Sequence, residues 1–264
     1  MSHPIHHLEA IVQFARADLR LNGFPLEDVE ARDETPWSFA PPVNPVLAGP
    51  RNVVEVILDA SKDFAGKPLP FEKVQLEVTV RRFEKGGIVE PGAGDLVTRL
   101  VPPPELLKEI AEGKQKPPVT LTHRFASEGP DFSGELHDAE PFTDEKALRD
   151  YGVKLRGLAV KRDTAGLLAE HEPKIQAWAK AYDEPIDRFR DSLKEELAKF
   201  IAAGADVAFT PDDIVPRAWC GGRIWELRRT RNLPLLRTLP GAEGERSELS
   251  TFVALRGGAL RIVR

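Results

Sequence analysis

Between Lys73 and Phe83 apolar and polar side chains alternate strictly: Val74, Leu76, Val78 and Val80 against Gln75, Glu77, Thr79 and Arg81. This period of two is the signature of a strand with one face buried and one in water. Asn52 to Ala60 (NVVEVILDA) is a second, more apolar strand candidate. One-sided alternation favours antiparallel pairing over a doubly wound parallel sheet, whose strands are buried on both faces. A different period reads at the start of the chain, where Leu8, Ile11, Val12, Ala15 and Leu19 recur at helical steps and Gly23 follows as a stop. Residues 6–22 are therefore predicted to be an amphipathic N-terminal helix.

Further along, Pro102 to Gly113 reads as a short helix opened by prolines and closed by glycine. Residues 119–127 and 132–138 read as a hairpin around Glu128-Gly129-Pro130-Asp131. In that register Arg124 faces Glu135 and Thr122 faces His137, while His123 falls on the apolar face as a core histidine. Thr143 with Asp144 and Glu145 signals a helix start, closed by Gly152, and 154–162 is assigned to a strand. From Asp163 a long helical stripe follows, with Ile175, Trp178, Tyr182, Ile186, Phe189, Leu193, Leu197 and Phe200 at steps of three and four. Pro173 and Pro185 break it into pieces and Gly204 ends it. Asp206 to Phe209 and Arg223 to Thr230 are strand candidates, and Thr210-Pro211 opens a short helix between them. Gly257-Gly258 joins 250–256 to 259–264 in a hairpin that pairs Leu255 with Leu260 and Val253 with Ile262.

One segment fits neither period. Residues 36–50 (PWSFAPPVNPVLAGP) hold five prolines in fifteen positions, which removes backbone donors and favours extended geometry. Trp37, Phe39, Val43, Val46 and Leu47 make this arm too apolar for a spacer, so it should lie along its own domain or a neighbour. The fold class expected is α+β: mainly antiparallel sheet at 52–138 and 205–264, covered by amphipathic helices from 163–203 and the N-terminus. One domain over 1–264 is expected, with 1–142 and 143–264 as the division if there are two.

Composition narrows the class without naming a function. With 264 residues, 41% hydrophobic and 30% charged, the chain is of ordinary globular make-up, neither fibrous nor disordered. No apolar run reaches the ~20 residues of a membrane helix, and Glu9, Arg16, Asp18 and Arg20 argue against a signal peptide, so no membrane association is expected. Cys220 is the single cysteine, excluding an intrachain disulfide and pointing to a reducing, cytoplasmic compartment. The net charge of -5 hides an asymmetry: residues 217–264 carry ten arginines and four glutamates with no lysine. Guanidinium groups suit carboxylates, phosphates and packed interfaces, although internal pairing with the acidic remainder accounts for such a cluster equally simply.

Candidate chemistry is sparse. The sequence contains no phosphate loop, dinucleotide fingerprint, nucleophile elbow or zinc spacing, so no cofactor is expected. His3, His6 and His7 lack carboxylate partners beyond Glu9, and no metal site is assigned to them. Cys220 in Trp219-Cys220-Gly221-Gly222 has no base nearby in sequence and reads as a buried small hydrophobe. The hairpin offers one catalytic constellation, Glu135, His137 and Arg124, in which a carboxylate orients an imidazole as general base. An interface constellation combines Trp37 and Phe39 of the arm with Arg217, Trp219, Arg223, Trp225, Arg228, Arg229 and Arg231. The leading expectation is thus a non-catalytic assembly or protein-interaction subunit, binding a protein partner or a second copy of itself. The alternatives are a small-molecule hydrolase or lyase using the Glu/His/Arg cluster, and a nucleic-acid-binding subunit using the C-terminal arginines, which could contact phosphates.

Overall fold

A computed structural model describes residues 3–87, 89–90 and 92–264, and the chain divides into two units, Met1–Leu136 and His137–Arg264. The fold is α+β with antiparallel sheets. In the first unit the elements are β1 (Ile5–Gln13), β2 (Ala15–Leu21), β3 (Phe24–Glu30), β4 (Trp37–Phe39), β5 (Asn52–Ala60), β6 (Gln75–Phe83), β7 (Asp95–Leu100), α1 (Pro104–Ala111) and β8 (Val119–Phe125). They form two four-stranded sheets in the orders β4-β1-β6-β7 and β3-β2-β5-β8.

The N-terminal helix expected from the spacing is instead two strands. Leu8, Ala10 and Val12 are buried at alternate positions of β1, and Ala15, Ala17, Leu19 and Leu21 at alternate positions of β2. The two alternations are out of phase by one residue, and Phe14 sits at the break with φ of 58°. There the chain leaves one sheet for the other, so a period-two pattern with a slip imitates helical spacing. Ile11, assigned to the helix's apolar face, is 44% exposed. Pairing decides the matter, because β1 pairs along its length with β6 and at Ala10 to Val12 with β4.

The proline-rich segment packs on its own unit. Val43 to Gly49 is buried and forms short 3-10 turns at Asn44–Val46 and Gly49–Arg51. Its carbonyls are met by asparagine side chains: Asn22 Nδ2 donates to Val46 O (2.7 Å) and Asn52 Nδ2 to Gly49 O (2.6 Å), while Asn52 Oδ1 accepts from Ala48 N (2.7 Å).

The hairpin expected at 119–138 does not form. β8 pairs along its length with β5, setting Arg124 opposite Val53 and Thr122 opposite Glu55. Residues Gly134–Asp138 are a π-helical turn, entered when Phe132 N donates to Leu47 O and continued by Leu136 N to Phe132 O. His123 is exposed on β8 rather than in the core.

The second unit comprises α2 (Glu145–Val160), α3 (Thr164–Glu170), α4 (Glu172–Tyr182), α5 (Ile186–Ala203), β9 (Ile214–Trp219), β10 (Ile224–Arg229), β11 (Leu233–Pro234), β12 (Leu236–Arg237), β13 (Glu248–Leu249), β14 (Phe252–Arg256) and β15 (Ala259–Ile262). The helix starting at Thr143 runs on through the strand expected at 154–162. Gly152 lies inside α2 and serves packing, since a Cβ there would come within 2.8 Å of Ile214 Cδ1. The strand expected at 206–209 is absent, and Ala205 makes only a bridge to Thr238. The proline breaks, the start at Asp163 and the register Leu255–Leu260 and Val253–Ile262 are as read from the sequence. Leu148, Leu155, Leu167, Ile175, Leu193, Leu197 and Phe200 from the helices join Ile214, Leu227, Val253 and Ile262 from the sheet in one core.

Candidate functional site

In the second unit a shallow groove of about 500 Å³ lies between α2 and the β14–β15 hairpin. Helical spacing sets its first wall: Asp144 caps α2 by accepting from Ala147 N at 2.9 Å, and Ala147, Tyr151 and Lys154 follow at intervals of four and three on one face. The hairpin sets the second. Gly257 and Gly258, with φ of 57° and 80°, make the two-residue turn that carries Leu255 and Leu260 across from each other.

Beneath the groove sits Glu170, the last residue of α3, with its side chain 9% exposed. Tyr151 Oη donates to Glu170 Oε2 (2.8 Å), Lys154 Nζ lies 2.7 Å from Oε1, and Arg261 Nη1 lies 3.4 Å from Oε2. Lys154 Nζ also stands 5.4 Å from the Tyr151 ring centroid. Burial, then the neighbouring Glu170 carboxylate, pushes the Tyr151 phenol far above its ordinary value, so it stays a donor. Two cations and a phenol thus share one carboxylate. The buried carboxylate is fully satisfied, and one positive charge is left over on the partly exposed Lys154 and Arg261.

The residues singled out in the sequence are dispersed. Arg124 is exposed on β8, Glu135 stands in the π-helical turn, and His137 in the same turn has its Nε2 buried without a hydrogen-bond partner. The strand pairing that would have aligned Arg124 with Glu135 is replaced by β8 against β5. Trp37 and Phe39 stack at 5.5 Å on the edge strand β4, on the same side as the buried Val12 and Ala10. Of the arginines, Arg229 is buried, Arg228 pairs with Glu226 (2.6 Å), and Arg223 donates to Cys220 O (3.0 Å). Arg217 and Arg231 are exposed. Trp219 Nε1 approaches Glu226 Oε2 (3.3 Å), and Trp225 Nε1 donates to Phe142 O and Gly222 O (3.0 Å each).

Burial keeps three titratable side chains in their neutral forms near neutral pH. The Cys220 thiol is pushed up to about 12, and His6 and His171 are lowered to about 4. His6 and His7 follow one another on β1, where His7 Nδ1 lies 3.0 Å from Ala40 O. Among the described residues no group of three His, Cys, Asp or Glu is placed to hold a metal ion, and no helix is long and apolar enough to cross a membrane.

Sequence reading passed over Glu170, Tyr151 and Lys154. One signal was available: a glutamate at the C-terminal end of a helix opposes the helix dipole and calls for compensating cations. No protein-family model, no curated protein and no solved structure matches the chain.

Proposed function

We propose that this chain is a non-catalytic interaction subunit whose α2/β14–β15 groove receives an extended segment of a partner protein. The observation that carries this reading is Leu255, 44% exposed on the groove wall beside the half-buried Leu260 and Phe142, above polar groups already paired with one another. An apolar side chain in that setting gains free energy when covered, about 25 cal/mol per Å² removed from water. The positive charge left over on Lys154 and Arg261 among the lining residues favours a segment with an acidic residue beside an apolar one. The Tyr151 phenol, held protonated, and the Cys220 thiol, pushed up to about 12, support binding over proton transfer or nucleophilic attack.

A photo-crosslinking side chain at Ala259 in the intact chain tests this. The expected result is a discrete adduct with one partner, lost when Leu255→Asp is added and absent when the crosslinker is moved to Val160, which is exposed outside the groove. Adducts that persist with Leu255→Asp, or that appear equally from Val160, would overturn the proposal. An adduct of twice the chain's own mass would assign the groove to a second copy and remove the separate partner.

A further inference from the structure

Three guanidinium groups converge on one carboxylate oxygen in the second unit. Arg237 Nη2, Arg229 Nη1 and Arg246 Nη1 lie 2.8, 3.2 and 3.6 Å from Asp206 Oδ2. The backbone puts Asp206 there: Asp206 N donates to Arg237 O at 2.8 Å, and Ala205 bridges Thr238. The other carboxylate oxygen, Oδ1, accepts from Ala208 N at 3.2 Å.

The three arginines are not equivalent. Arg229 is turned wholly inward, donating to Leu235 O and Asp206 O and lying 4.1 Å over the Phe209 ring. Arg237 and Arg246 stand toward solvent, with side chains 17% and 31% exposed. Arg246 gives one N–H to Thr238 O (2.8 Å), and a guanidinium has five to give. Glu248 lies opposite Arg237 in the β12–β13 register. Asp213 also acts on Arg229, so the imbalance lies in the direct contacts, where three guanidiniums share the one Asp206 carboxylate in a partly buried place.

We propose that Arg237 and Arg246 form the mouth of an anion site that takes a phosphate group. Arg246 spends Nη1 on Thr238 O and Asp206, and its Nε–Nη2 edge matches two oxygens of a phosphate; Arg237 spends Nε and Nη2 on Asp206 Oδ2 and offers Nη1, so one tetrahedral anion can bridge the pair. Asp206 and the inward Arg229 act as positioning groups: they fix the two forks and touch no ligand. An anion there would offset the excess of guanidinium in these direct contacts.

The probe is inorganic phosphate titrated into the full chain, followed by calorimetry and thermal unfolding against chloride at matched ionic strength. The expected result is saturable binding of phosphate, with a thermal shift beyond that of chloride. Arg246→Ala should weaken it about tenfold or more, the loss of one charge-assisted fork. Arg246→Lys, which keeps the charge and loses the fork, should fall between, and Arg188→Ala, exposed on α5, should leave binding unchanged. Because Arg237 also anchors the fold through Asp206, the Arg246 variants carry the test. Equal stabilisation by chloride would mean screening alone, and phosphate binding untouched by Arg246→Ala would mean an adventitious ion only; either result overturns the proposal.

Discussion

Asn22 Nδ2 donates to Asn52 Oδ1 at 3.0 Å, joining two fully buried side chains that between them hold the proline-rich segment onto the first unit. The pairing extends to the strands, because Asn22 Oδ1 accepts from Val53 N (2.8 Å) and Asn22 N donates to Val53 O (2.8 Å). Prolines remove N–H donors from a segment but leave every carbonyl, so a buried proline-rich stretch needs donors from elsewhere. Asn22 and Asn52 supply them, while Asn44, inside the segment, donates from Nδ2 to Pro4 O at 2.8 Å.

Replacing Asn52 with alanine should therefore cost about 3 kcal/mol, since it strands the Ala48 N–H and one Asn22 donor away from water, while Gly49 O keeps the Ser127 N–H. Equilibrium urea unfolding reads this directly. A loss under about 0.5 kcal/mol, the range of a neutral surface change, would mean the segment is not held by this network.

Acidification should destabilise the fold between about pH 6.5 and 4. The imidazole of His6 is buried with neither ring nitrogen hydrogen-bonded, and burial lowers it to about 4 from its ordinary 6.5; Arg82 and His7 press the same way, Asn44 and Glu128 oppose. His171, whose Nδ1 lies 2.8 Å from Leu167 O, is lowered to about 4 for the same leading reason. In that window the unfolded chain binds more protons than the folded one, so stability present above pH 6.5 is lost as pH falls, by up to about 1.4 kcal/mol per pH unit per group. His6→Leu should flatten the slope measured by denaturant midpoints at pH 7, 5.5 and 4.5. An unchanged slope would assign the acid sensitivity to other groups.

Glu170 should matter more than any one of its partners. Glu170→Gln removes the charge that holds Lys154 and Arg261 and is expected to cost about 2 kcal/mol, whereas Tyr151→Phe removes one neutral donor and should cost about 1. The cations are partly exposed and can turn to water, which keeps both figures small. The order of the two unfolding midpoints is the check, and a reversed order would place the stabilisation in the phenol.

Arg229 should not be replaceable by lysine. Its fork reaches Leu235 O and Asp206 O while its plane lies on Phe209, and an ammonium offers neither the spacing nor the flat face. Arg229→Lys is expected to lose most of the roughly 3 kcal/mol lost in Arg229→Met. Full retention of stability in the lysine variant would show that charge alone suffices there.

Cys220 should resist thiol reagents in the folded protein. Buried, at φ of 50° in the turn after β9, its thiol is pushed up to about 12, so little thiolate forms at pH 8. Labelling with a chromogenic disulfide should be slow in buffer and fast in urea. Rapid labelling of the folded chain would contradict the burial.

Local pattern determined much of this protein. The alternation at Val74–Val80, the proline and glycine breaks around 163–204 and the Gly257-Gly258 turn each act within a few residues, and each stands in the structure where the sequence put it. Tertiary structure decided what depends on a distant partner. Whether Leu8 to Leu19 is helix or strand turned on β6 and β5 being available to pair with β1 and β2. Whether Arg124 meets Glu135 turned on β8 choosing β5 over the residues just after it. The groove was equally hidden, for Tyr151, Glu170 and Arg261 come together only when α2, α3 and β15 pack, and nothing in their separate neighbourhoods encodes that meeting. Backbone hydrogen bonds and a shared core reward pairings far apart in sequence, and periodicity within one segment carries no record of them.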